Sequence, residues 1–158
     1  MCAGFFSIRP FQSGDLERVA ALFADTVRSV NLRDYTPAQV EAWARGADAL
    51  RQNPAFFTSL YTLTAWRGEE LLGYGNVRAD GYLDHLFVHR AFQGRGVASK
   101  LCDGLESFAK ARGAERMTVY ASLTAKPFFE KRGYLARERQ YVALRGEVLA
   151  RYAMEKPL

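Results

Sequence analysis

The chain has 158 residues, of which 49% are hydrophobic and 25% charged. That balance fits one soluble globular domain over 1–158, rather than a disordered or low-complexity chain. The net charge of +5 is scattered and interleaved with acids, with no long Lys/Arg run, so no nucleic-acid partner is expected. No apolar run approaches the roughly 20 residues of a membrane helix, and Met1 to Phe6 lacks the basic and apolar regions of a secretory leader. Cys2 and Cys102 form no CxxC and no metal-like cluster, so a reduced, cytoplasmic setting without a metal is expected.

Alternation in Phe6-Ser7-Ile8-Arg9 predicts a first strand. Ser13 is expected to cap a helix whose apolar face is Leu16, Val19, Phe23, Val27 and Val30. After a loop at 31–35, Thr36-Pro37-Ala38-Gln39 marks a second start. Thr caps, Pro takes the first helical position and Gln can close a capping box. This helix ends near Gly46, and 47–60 reads as a loose helical turn and connector. Three strands at 61–67, 71–78 and 82–88, joined by Gly68-Glu69-Glu70 and Ala79-Asp80-Gly81, form an antiparallel meander. A helix from Val97 to about Arg112 buries Val97, Leu101, Leu105 and Phe108, with Gly113 as its C-terminal cap. A strand at 116–121 completes a β-α-β crossover, expected to be parallel. A short helix at 125–132 and a hairpin, 134–144 with 148–154, end an α/β chain.

The segment Gln93-Gly94-Arg95-Gly96-Val97-Ala98 follows strand 82–88 and opens the long helix. Small residues there leave the first helical N–H groups uncovered at the positive end of the helix dipole, which suits an anion such as a pyrophosphate. It is not a GxxxxGK[ST] loop, because Val97-Ala98 follows Gly96. It is not a full GxGxxG either, because Ser99 stands at the third glycine position.

Gln93-x-x-Gly96-x-Ala98 after Leu86-Phe87-Val88 resembles the acyl-CoA signature of the GNAT N-acetyltransferase superfamily. The order of elements agrees over nearly the whole chain, and Lys126-Pro127-Phe128-Phe129-Glu130-Lys131-Arg132-Gly133-Tyr134 resembles the second hallmark of that family. The runs 35–43 and 121–129 are similar to a bacterial group of predicted acetyltransferases, the YafP-like group. The resemblance implies a mixed, mostly antiparallel sheet of six or seven strands with about four helices. Its fourth and fifth strands would be parallel and splay apart.

The resemblance further implies that acetyl-CoA is the cosubstrate and lies in that splay. Leu86, Phe87 and Val88 would contact pantetheine through their backbones. The N–H groups from Gly94 through Arg95, Gly96 and Val97 to Ala98, with those near Ser99, would hold the pyrophosphate. Gln93 and Arg95 would add side-chain contacts, a solvated surface charge being the equal alternative for Arg95. The acetyl group would pass to an amine, with the Val88 N–H stabilising the oxyanion.

Asp84, an acid in an apolar strand, is the first candidate for the base. Strict alternation places it with Leu86 and Val88, opposite His85, Phe87 and His89. His85 is the alternative base. His85 and His89 make no convincing metal pair, being roughly 13 Å apart at about 3.3 Å per residue. Many family members carry a tyrosine acid where this chain has Phe129, which cannot donate a proton. Ser122, Thr124 or Tyr120 would then supply a hydroxyl, or no acid is needed, since a thiol of pKa about 8.5 leaves tolerably as thiolate. Phe129 would pack on pantetheine or in the core. Tyr35 and Trp43 flank the expected acceptor pocket, Trp43 with a core role equally open. The expected acceptor is a small-molecule amine. A protein acetyltransferase and a non-catalytic acyl-CoA sensor are the alternatives, and monomer or homodimer is left open.

Overall fold

The computed structural model describes residues 5–158; Cys2 lies outside them. Strand β1 (Ser7–Pro10) leads through a 3-10 turn at Ser13–Asp15 into helix α1 (Leu16–Ser29). The start of α1 is not fixed by the expected Ser13 cap. Asp15 instead organises the 3-10 turn that precedes α1: its carboxylate accepts the Gln12 N–H at 2.8 Å and grips both terminal nitrogens of Arg9 at 2.8 and 3.0 Å. Helix α2 (Pro37–Ala44) begins on the expected capping box. The Gln39 N–H donates to the Thr36 hydroxyl at 3.1 Å, and the Thr36 N–H donates to the Gln39 side chain at 2.9 Å.

The loose helical turn and connector expected at 47–60 are two short helices, α3 (Gly46–Gln52) and α4 (Ala55–Thr58). Phe57 anchors the second, buried against Phe11 and Tyr74. With α5 (Val97–Ala111) and α6 (Lys126–Lys131) the α-helices among the described residues number six, against about four expected. The remaining strands are β2 (Tyr61–Arg67), β3 (Glu70–Val77), β4 (Tyr82–Val88), β5 (Arg116–Ser122), β6 (Leu135–Leu144) and β7 (Glu147–Pro157). They form one seven-stranded sheet in the order β1-β2-β3-β4-β5-β7-β6, antiparallel except between β4 and β5.

Each face of the sheet carries its own core, because a half-buried sheet must cover both apolar faces. Helix α5 covers one with Val97, Leu101, Cys102, Leu105 and Ala109. Phe108 is only partly buried and stacks on Tyr61 at 4.0 Å. Helices α1 to α4 cover the other face with Val19, Phe23, Val27, Val40 and Phe57.

Two local features open the sheet. Strands β4 and β5 pair only at Tyr82 with Thr118 and Leu83 with Val119. Just above, Leu83 faces Val77 and Leu86 faces Gly75, so Asp84 and His85 together oppose Asn76. The bulge is pinned by the His85 N–H donating to the Asn76 side-chain oxygen at 2.9 Å. A bulge bends its strand and increases its twist, which suits a strand turning away from its neighbour. It also overturns strict alternation. Leu83, Leu86 and Val88 all pack on the α5 face, so Asp84, adjacent to Leu83, faces the α1 side together with His85 and Phe87.

Candidate active site

Where β4 and β5 part, a cleft of about 800 Å³ runs through the sheet. Its walls come from β4, the 93–99 segment, the end of β5, the start of α6, β7 and the α1–α2 loop. Every candidate catalytic, cofactor-binding or acceptor residue named from the sequence lines it except Arg95. Arg95 turns away and lies over the rings of Phe5 and Phe92, at 4.7 and 5.6 Å.

The backbone of β4 supplies the first chemistry. The His89 N–H donates to Leu72 O at 2.7 Å, one position beyond the Gly73–Val88 pair. In an antiparallel ladder that pattern makes Gly73–Val88 a non-hydrogen-bonded pair, as is Gly75–Leu86 two residues on. The N–H and C=O groups of Val88 and Leu86 therefore point away from β3, into the gap. Those of Phe87 point the other way, to Tyr74. This corrects the expectation of a pantetheine contact through the Phe87 backbone; Phe87 contributes its ring, packed against Phe23 at 5.0 Å and Trp43 at 6.3 Å. The Val88 carbonyl is already occupied by Gln93 Nε2 at 2.6 Å and the Thr26 hydroxyl at 3.3 Å. Gln93 thus fastens its segment to β4.

At the mouth of α5, Gly94 and Gly96 have φ of 69° and 86°, a left-handed conformation that only glycine adopts without strain. Nothing lies within 4 Å of where a side chain on either would begin. The first helical bond is from Lys100 N–H to Gly96 O at 3.0 Å. The N–H groups of Val97, Ala98 and Ser99 are therefore ahead of the helical ladder and free for an anion. Lys131 adds a cation to the cleft lining. The sequence reading absorbed it into a charged turn.

Asp84 and His85 divide by environment. Burial raises the Asp84 carboxyl above its usual range, tempered by Tyr82 and by the Arg78 charge. Burial pushes His85 down to about 4, so its imidazole is neutral near pH 7. The ring stacks on Phe23 at 5.5 Å, and its Nδ1 lies 2.9 Å from the Tyr74 hydroxyl.

The hydroxyls differ as well. Ser122 Oγ accepts the Ala125 N–H at 3.0 Å and organises the turn into α6. Thr124 Oγ1 is buried without a hydrogen-bond partner among the described residues. Phe129 is buried at 2% exposure, edge-on to Phe128 and Tyr134, as part of the α5-side core. The Tyr35 hydroxyl donates to Ala150 O at 2.6 Å and accepts the Leu123 N–H at 2.9 Å, tying the α1–α2 loop to β7 and to the end of β5. What it offers the cleft is its ring, edge-on to Trp43 at 5.6 Å.

Known proteins share this architecture. The family model described as an acetyltransferase (GNAT) domain matches residues 31–155. The uncharacterized N-acetyltransferase YafP of Escherichia coli (strain K12) is 33% identical over 147 residues, 93% of each chain. A crystal structure described as a GCN5-related N-acetyltransferase, "Aminotransferase, Class-II", from Rhodopseudomonas palustris superposes with a TM-score of 0.92. It is 38% identical over 96% of this chain and 95% of that one. The PaiA N-acetyltransferase of Thermoplasma acidophilum, in complex with coenzyme A, shares the fold, with a TM-score of 0.78 at 17% identity over 97% and 99% of the two chains. A sheet parted at β4 and β5, a glycine-opened helix beside the parting and these likenesses agree: the chain belongs to the GNAT acetyltransferase family and is an acyl-CoA-dependent N-acetyltransferase.

Proposed function

We propose that the protein transfers an acetyl group from acetyl-CoA directly to the primary amine of a small molecule, with both bound in one ternary complex. The observation that carries this reading is the pairing of outward-facing Leu86 and Val88 backbone groups with Asp84 across one bulge. The residues present fit a CoA thioester. The outward-facing Leu86 N–H and C=O can pair with the pantetheine amides as a neighbouring strand would, which leaves the Val88 N–H for the thioester. The free N–H groups of Val97, Ala98 and Ser99 suit its pyrophosphate, and Lys131 adds a compensating charge. The coenzyme A bound by the Thermoplasma neighbour supports the same cosubstrate here.

The Val88 N–H donates to the thioester carbonyl oxygen as negative charge develops on it. Asp84 takes a proton from the acceptor amine, directly or through water, so that nitrogen can present its lone pair. Its raised pKa makes it a stronger base than an exposed aspartate. The free Thr124 hydroxyl is the available donor toward the departing sulfur, in place of the phenol that Phe129 lacks. Direct transfer is favoured because Cys102, the one cysteine among the described residues, is buried in the α5-side core with its thiol pushed up to about 12. It offers no thiolate to carry an acyl group. Aligning the two reactants accounts for much of the acceleration. The walls formed by Tyr35, Trp43 and Phe87 suit a small acceptor.

Asp84→Asn tests the assignment. Amine-dependent release of CoA is expected to fall about 100-fold, while acetyl-CoA binding is retained. Loss of binding would make Asp84 a structural residue.

A further inference from the structure

Among the described residues lining the cleft Asp84 is the sole acid, against Arg33, Lys131 and Arg151. Two of these bases have other occupations. Lys131 sits on α6, which packs on the α5 face with Phe129. Arg33 is a rim residue, 70% exposed and 3.7 Å from Asp34.

Arg151 is different. On β7 it lies opposite Ser122 of β5 and Gln140 of β6. Val119 and Ala121 point into the α5-side core, so Tyr120, Ser122 and Arg151 point to the other face, where Asp84 also points. Its guanidinium lies over the Tyr120 ring, 3.9 Å from the centroid. Its Nε donates to Gln140 Oε1 at 3.1 Å, and Gln140 in turn donates to Glu138 at 2.8 Å. Stacking fixes the plane of the guanidinium and the Nε bond fixes its rotation. The two terminal nitrogens have no partner among the described residues, and the side chain joins no ion pair there.

A planar fork held in place with its outer edge open is the geometry that takes a carboxylate or phosphate through two parallel hydrogen bonds. Its order is already established before a ligand arrives, which lowers the entropic cost of binding. Burial pushes the Tyr82 phenol up to about 12, with the Asp84 charge adding to the shift and the Arg151 charge opposing it.

We infer that the acceptor is a small amine carrying an anionic group, and that Arg151 anchors that group while Asp84 receives the amine. This rests on the N-acetyltransferase reading above. It also states what the cleft disfavours: a di- or polyamine would place a second cation against Arg151, with no acid but Asp84 among the described residues lining the cleft.

The experiment compares acetyl transfer to four primary amines of similar length: 4-aminobutyrate, 2-aminoethyl phosphate, a neutral amino alcohol and a diamine. One or both anionic amines are expected to exceed the neutral and cationic ones in kcat/KM by about tenfold or more, and the two anionic arms separate carboxylate from phosphate. Arg151→Ala is expected to raise KM for the preferred anionic amine about 10- to 100-fold, with KM for acetyl-CoA unchanged and a much smaller effect on the amino alcohol. Arg151→Lys, which keeps charge but loses the fork, should recover only part of the loss. Preference for the amino alcohol or diamine overturns the inference and leaves the acetyltransferase reading standing, as does an equal loss on anionic and neutral amines in Arg151→Ala. Absence of both acetyl-CoA binding and transfer would overturn the two together.

Discussion

At Asp84 the proposed function and stability pull in opposite directions. Burial raises its carboxyl pKa in the folded state, so the folded protein holds that proton more tightly than the unfolded chain does. The sign follows from linkage: the contribution is favourable below the unfolded value of about 3.9 and is lost as pH rises through the raised folded value. At neutral pH the ionised carboxylate therefore works against folding. Asp84→Asn is expected to melt higher than the parent protein at pH 7, with the difference shrinking toward pH 4, while turnover collapses. The parent's kcat/KM should rise with pH through a carboxylate above its ordinary range, and that limb should be missing from the residual activity of the variant. A lower melting temperature at pH 7 would mean that the carboxylate holds the strand together. His85, beside it in the bulge, is pushed down to about 4 by burial, so it is neutral near pH 7, and it is wedged among Phe23, Phe56 and Tyr74.

At the level of elements, much of the chain was legible because the signals are local. The Thr36–Gln39 box, the strand at 61–67 and the glycine-opened α5 each depend on residues within a few positions of one another. The bulge was not legible. Two residues of β4 oppose one of β3 only because Asn76 accepts the His85 N–H, and no pattern within 82–88 announces a partner nine residues earlier. The same limit hid the commitment of the Tyr35 hydroxyl to Leu123 and Ala150, and the aromatic perch that draws Arg95 out of the site. Gly96 offers an element-scale test. A side chain at φ 86° is strained, so Gly96→Ala should destabilise the fold by about 1 kcal/mol and weaken acetyl-CoA binding, by denaturant melts and titration respectively. An unchanged affinity would detach the α5 mouth from the pyrophosphate.

Across the whole molecule, a sheet open in its middle needs ties elsewhere. Glu106 on α5 provides one: it accepts Arg132 Nε at 2.8 Å, the Tyr134 hydroxyl at 2.8 Å and Lys156 Nζ at 2.9 Å. Helix α5 is thereby joined to the end of α6 and to β7, across the parting from β4. Neither Glu106 nor Arg132 exceeds 15% side-chain exposure. Removing the acid leaves Lys156 without an ion pair among the described residues and Arg132 with only Asp103 and the Ser99 carbonyl, so Glu106→Ala should cost about 3 kcal/mol in chemical denaturation. A loss within experimental error would show that packing alone closes this side. On the proposed function the opening has a purpose: strands that paired along their full length would leave no backbone for a thioester and no route for an amine to reach it. The central claim is therefore chemical, and product analysis tests it most directly. Purified protein is incubated with acetyl-CoA and a primary amine, and the amine is examined by mass spectrometry. The account predicts an N-acetylated amine formed in step with free CoA, strongly reduced in Asp84→Asn. Acetyl-CoA binding without any acetylated amine, across a broad panel of acceptors, would contradict it and make the cleft that of an acyl-CoA sensor.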